Sequence, residues 1–227
     1  MVSRRGLIKG LIAAGALGTT GLHALIVRAV RAQTAGQGVI QTQGTLLING
    51  VPAGLGTAVG SGDIITTGVS GGAVFVFGED AFLVRGGSEI VLDDMEPGAA
   101  EKFFTVVTGA ILSVFGPRPN AVTLDTPLAT IGIRGTGIYI ESRPNRTYVC
   151  TCFGTSNIIS KVQPGVEETV RTTHHEAPRY LFAPGQGPGI QSAPVFDHTD
   201  DELTMLEALV GRTPPEEWQD LKPEDRY

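Results

Sequence analysis

The chain has 227 residues, with 17 Lys and Arg against 23 Asp and Glu, for a net charge of −6. That length suits one domain with a real core, and an acidic surface repels phosphate backbones, so nucleic acid is excluded as a natural partner. Its 31 glycines and 14 prolines predict many turns and few helices.

The first element reads as a targeting segment. Arg4 and Arg5 are followed by Gly6, Leu7, Ile8 and Lys9, close to the twin-arginine export pattern. An apolar run of 18 residues, Gly10 to Val27, comes next, and Arg28 and Arg31 end it. Small residues around Arg31 predict cleavage after Ala32. The alternative is retention as a single membrane anchor, since 18 residues reaches the lower limit for a span. On either reading the rest of the chain is periplasmic. The twin-arginine route carries folded proteins, so a cofactor can be inserted before export. Removal of residues 1–32 leaves 195 residues with 12 bases and 23 acids, a net charge of −11.

From Gly38 onward short β-branched or apolar runs alternate with Gly, Asn and Asp. Thr45–Ile48 precedes Asn49-Gly50, a two-residue hairpin signal. Strands are predicted at 63–66, 73–77, 81–85, 88–92, 103–108 and 110–115, the last two flanking Gly109. They resume at 121–124, 130–133, 137–141, 148–153, 157–161 and 168–172. Turn signals recur every eight to twelve residues or so, which predicts an all-β fold, an antiparallel sandwich or coiled β-sheet. Asp63 reads as a turn-capping carboxylate. Arg134, between two glycines, reads as a strand residue aiming its donors at neighbouring carbonyls, with a ligand carboxylate as the functional alternative.

Three segments carry a resemblance. They are VPAGLGTAVGSGDIITTGVSGGAVFVFGED, VTGAILSVFG and DTPLATIGIRGTGIYI, the last with Thr126, Pro127, Ala129 and Arg134-Gly135-Thr136. In this order the stretch 38–160 resembles the FecR domain. That resemblance implies a periplasmic β domain used for binding or signalling. The family includes regulators that relay the state of an outer-membrane transporter to a cytoplasmic sigma factor. This chain shows no cytoplasmic helical domain, so only the domain type is carried over. The organisation expected is a signal peptide at 1–32, a FecR-like β domain at 33–160 and a C-terminal extension at 161–227.

The chemistry-bearing residues lie late in the chain. Cys150 and Cys152 are its only cysteines, in YVCTCFG. On a strand they face the same side, too far apart for a relaxed disulfide but close enough to share an ion. His174, His175 and His198 complete the soft donors. Both cysteines, His198 and one of the adjacent histidines would make a Cys2His2 set for a transition metal ion such as zinc. If extended, His174 and His175 point apart, so one binds and the other orients a ligand or meets solvent. Asp197 or Glu176 is the oxygen donor that would suit iron or another harder ion. A disulfide, a strained redox pair and buried unrelated thiols remain open alternatives.

One helix is predicted at 200–210. Thr199 and Glu202 form a capping box, Leu203, Leu206, Leu209 and Val210 the apolar stripe, and Gly211 the stop. No nucleophile elbow, metalloprotease or phosphate-loop motif is present. The function expected is therefore a non-catalytic binding or sensing domain in the periplasm. A periplasmic metalloenzyme or thiol-redox protein built on the same cluster is one alternative. A structural envelope module, pairing with a protein partner through a sheet edge, is the other.

Overall fold

A computed structural model describes residues 36–93, 101–221 and 227. The expected signal segment at 1–32 lies outside the described residues. The chain is almost entirely strand: β1 (Gly38–Gln43), β2 (Leu46–Ile48), β3 (Val51–Pro52), β4 (Ile64–Thr67), β5 (Gly72–Phe77), β6 (Asp80–Val84), β7 (Glu89–Leu92) and β8 (Glu101–Val114). These are followed by β9 (Val122–Asp125), β10 (Ala129–Ile133), β11 (Gly137–Arg143), β12 (Arg146–Ser160), β13 (Glu167–Thr172), β14 (Arg179–Phe182) and β15 (Ile190–Ser192). A helix, α1 (Asp200–Leu209), and a 3-10 turn, Glu216–Asp220, come last. The all-β expectation is met. At Asn49-Gly50 both residues take positive φ, and Ile48 pairs with Val51 across the hairpin.

Two strands organise everything else. β8 and β12 are each long enough to belong to two sheets, and each changes sheet at a glycine. Residues 109–114 of β8 pair with β11, while its earlier residues pair with β7 and, in parallel, with β9. Residues 146–153 of β12 pair with β11, and 154–160 with β13 and β10. The bends fall at Gly109 (φ 85°) and Gly154 (φ 95°). A Cβ on Gly109 would sit 2.4 Å from Ser88 Cα, and one on Gly154 2.9 Å from the Gly135 carbonyl oxygen. No side chain fits either crossing. Glycine commonly interrupts a strand, and the expected strands end at both positions; here glycine bends each strand without ending it.

The pairings β8–β11–β12–β10–β9–β8 close a ring, so the centre of the molecule is a small barrel, with one parallel pair, β8 and β9. β6, β5 and β1 extend one side of it, and β7, β4, β2 and β3 the other. The space between the two sheets holds one core. Phe75, Phe82, Phe104, Phe115, Ile111, Ile131, Ile140 and Ile158 are all buried there, with Phe82 packed edge-on against Phe104 and Phe115.

The outer face of the first sheet is also apolar, and this places the site. Val74, Leu83, Leu112, Tyr139, Tyr148, Cys150 and Cys152 point away from the barrel interior into a second core. α1 covers it with Leu203, Met205 and Leu206, and Trp218 covers it from the 3-10 turn. Fully burying such side chains is worth roughly 1.5–3 kcal/mol each, which favours the C-terminal segment lying against the sheet.

Candidate metal centre

The cysteine pair sits on β12 just before its bend. Tyr139 of β11 pairs with Cys150, and Cys150 and Cys152 project from the same face, as strand alternation dictates. Both are fully buried free thiols. The rest of the cluster is delivered by the segment that follows β13.

β13 pairs with β12 up to Thr172 opposite Gly154. The chain then reverses in a tight turn. Its pivot is Glu176, whose carboxylate accepts from the backbone N–H of Thr173 and of His174, each at 2.9 Å. That bonding holds the Glu176 carboxyl below its usual value, although burial works the other way. At the turn, His175 takes positive φ (56°) and donates its backbone N–H to the Cys152 carbonyl at 2.9 Å. This bond plants the imidazole over the two sulfurs.

His198 arrives from the other direction, immediately before the helix cap. Thr199 Oγ1 accepts from the Glu202 N–H, and Glu202 Oε2 accepts from the Thr199 N–H, the capping box expected. Arg85 from the end of β6 grips Glu202 through both Nη atoms at 2.7 and 2.8 Å and also donates to the Asp197 carbonyl. Tyr139 donates its hydroxyl to Asp197 Oδ2 at 2.8 Å and stacks on the His198 ring, centroids 4.6 Å apart. Burial and the Asp197 carboxylate push the Tyr139 phenol up, so it remains a donor.

The outcome is four donor atoms from three separate stretches of chain, all within 4.8 Å of one another: the sulfurs of Cys150 and Cys152 and one ring nitrogen each of His175 and His198. His175 Nδ1 lies 3.4 Å from Cys150 Sγ and 3.1 Å from His198 Nε2. A tetrahedron around zinc, with bonds of about 2.0–2.3 Å, has edges of about 3.3–3.8 Å. The 3.4 Å separation falls on that scale and the 3.1 Å one just under it.

The outward ring nitrogens fix the protons. His175 Nε2 faces Asp200 Oδ1 at 3.1 Å, and His198 Nδ1 faces the Phe196 carbonyl at 2.7 Å. An ionised carboxylate and a carbonyl only accept, so both outward nitrogens carry the hydrogens. In the neutral rings the inward nitrogens, 3.1 Å apart, then present lone pairs to each other. Such an arrangement is repulsive unless a proton or a cation lies between them. The same outward bonds to a carboxylate and to a backbone carbonyl are those that orient metal-bound imidazoles.

Electrostatics point the same way. Burial opposes ionisation of Cys150, but hydrogen bonding from Cys152, His175 and His198 outweighs it and pulls the thiol well below its usual value. Burial and the neighbouring Cys150 charge push Cys152 up. Burial also disfavours charge on His175, yet Asp200 and Cys150 overcome it, and its value is raised to about 9. These directions describe one thiolate, on Cys150, facing one positive charge, on the His175 ring.

Four of the five candidate ligands therefore meet, and His174 does not join them. It turns to the other side of Asp200, with Nε2 at 3.0 Å from Oδ2, and packs edge-on against Trp218. The two neighbouring histidines thus share one carboxylate. Of the oxygen donors considered, Asp197 is engaged by Tyr139 and Glu176 by its turn. Sequence reasoning assigned Asp200 only to the helix N-terminus. Its place directly after His198-Thr199, where a carboxylate at the first helical position faces back along the chain, was the available signal. Asp63 is a turn cap, accepting from the Gly60 N–H at 2.8 Å. Arg134 donates to one carbonyl, that of Pro119, at 2.6 Å.

No family model matches the chain, and none of the curated proteins matches it. Among solved structures it is similar to two crystal structures, at 2.50 Å and 1.65 Å resolution, of a "putative anti-sigma factor" from Parabacteroides distasonis ATCC 8503. Each matches with a TM-score of 0.48 and 7% identity over 57% of this chain. The chain spans 59% of the length of that protein.

Proposed function

We propose that this is an exported, non-catalytic binding or sensing domain in which Cys150, Cys152, His175 and His198 hold one zinc ion. The observation that carries the metal reading is the meeting of two inward imidazole nitrogens and two sulfurs in a closed, buried space, with the outward nitrogens of both rings already held by oxygen acceptors. Zinc suits the donor set better than iron does, since two thiolates and two imidazoles without an oxygen donor make a standard tetrahedral zinc site. The four residues are at most 3% exposed, so no coordination position is left for water or substrate. A closed four-ligand site is structural. The ion's work is to clamp the C-terminal segment onto β12.

The Arg4-Arg5 motif fits export by a route that takes folded proteins, which would permit loading in the cytoplasm. Replacing both arginines by lysine is expected to leave the protein in the cytoplasmic fraction.

The test is elemental analysis of protein purified from the periplasm without added metal, combined with thiol titration after denaturation. One zinc per chain and two titratable thiols are expected. Absence of stoichiometric metal sinks the metal reading, and two thiols recovered only after reduction put a disulfide in its place.

A further inference from the structure

A cleft of about 510 Å³ opens where the barrel rim meets the C-terminal segment. Phe115, Arg118 and Arg134 line it from the rim, Phe153 from β12, and Glu207 and Arg212 from the end of α1. Its size falls in the range of small-molecule sites. Three guanidinium groups in one cleft stand out in a chain with more acids than bases.

Two of the three are already neutralised. Arg118 pairs with the buried Asp80, and Arg212 Nε bonds Glu207 Oε2 at 2.6 Å. Arg134 meets no carboxylate among the described residues; its one bond, to the Pro119 carbonyl, leaves most of its fork of donors unused. The cleft therefore offers one uncompensated guanidinium beside one half-buried aromatic ring, Phe153. A monoanion with an apolar body matches that. A dianion such as hydrogen phosphate leaves one of its charges unmatched by the single free guanidinium, and a cation is repelled by Arg134.

We propose that this cleft binds a small organic monocarboxylate, with its carboxylate on the Arg134 fork and its apolar body against the half-buried Phe153 ring. This rests on the reading of the chain as a binding domain, and it names the class of ligand. It also gives Arg134 a use that the packing of the barrel does not.

Isothermal titration of the full exported protein tests it, with benzoate and hexanoate as probes, benzamide as the neutral counterpart of benzoate, and inorganic phosphate as the dianion. Saturable one-to-one binding is expected for at least one carboxylate, with benzamide and phosphate at least tenfold weaker. Arg134→Gln should weaken the carboxylate at least tenfold and leave benzamide unchanged, since the charge-assisted pair is what it removes. Arg134→Lys, which keeps the charge but not the fork, should fall between, and it serves if the glutamine variant does not fold. No saturable binding by either carboxylate overturns the proposal. So does benzamide or phosphate binding as tightly as the carboxylate, or a folded Arg134 variant that binds as tightly as the wild type. Zinc content measured on the same samples reports on the metal reading separately, and it should be the same in every Arg134 variant.

Discussion

At the scale of single residues, the adjacent histidines are a natural control on one another. His175 reaches the sulfurs and His174 does not, although both touch Asp200. His175→Ala should therefore lower zinc from one per chain to a small fraction, while His174→Ala should keep full stoichiometry. Elemental analysis of the two purified variants decides it; equal loss in both would mean that the wrong nitrogen has been assigned. Asp200→Asn tests the orienting carboxylate. It keeps the shape but weakens the acceptor for the His175 Nε2–H, and the affinity should drop by about 10–100-fold, as for other partners of metal-bound histidines. Competition against a chromophoric chelator measures the change. The sulfurs themselves were legible from sequence: an alternating strand puts Cys150 and Cys152 on one face. The choice between His174 and His175 was not, because it depends on which of the two takes positive φ, and histidine's readiness for that conformation applies equally to both.

At the scale of elements, the two shared strands bear the argument. Gly109 is held against Ser88, with its N–H-bearing neighbour Ala110 donating to Ser88 Oγ at 2.9 Å and accepting from it at 3.2 Å. Gly109→Ala would bring both a disfavoured φ and a collision with Ser88 Cα, so a loss of about 3 kcal/mol is expected in urea unfolding. A loss under about 1 kcal/mol would mean that the crossing can relax. The helix cap is a milder case: Thr199→Ala should cost about 0.5–2 kcal/mol. Helix α1 was readable almost to the residue, since its start and stop are both local signals. β14 and β15 were not foreseen. Their residues show little alternation, and they are strands because Tyr180 and its neighbours find the free edge of β12. That is tertiary pairing overriding a weak local preference. The closure of five strands into a ring was hidden for the same reason: it needs β8 and β12 to continue through glycines that look like ends.

At the scale of the whole molecule, stability should fall in acid for a reason that can be isolated. Arg179 of β14 holds Glu168 of β13 through bonds from Nε and Nη2, and this keeps the Glu168 carboxyl below its usual value against a smaller effect of burial. A depressed carboxylate contributes stability that is present above its unfolded value of 4.5 and is lost as pH falls through the folded value. Glu168→Gln should therefore lower the urea midpoint at neutral pH and make little difference near pH 3. A gap between variant and wild type that stays constant across that window would remove the ion pair from the account. The pair ties together β13 and β14, which pair with opposite ends of β12. The all-β class and the acidic balance were readable from composition and turn spacing. The second core, between sheet and tail, was not, because an outward apolar face on a strand is indistinguishable in sequence from an inward one.

That second core also sets an order of assembly. The thiols stand on the outside of a sheet whose strands are all synthesised before the helix that hides them. Until the final stretch of polypeptide leaves the ribosome, both sulfurs are bare to solvent. A cell that threaded this chain unfolded into an oxidising space would expose them at their most vulnerable moment. One that lets the tail close first, in reducing surroundings, ships the pair already sealed.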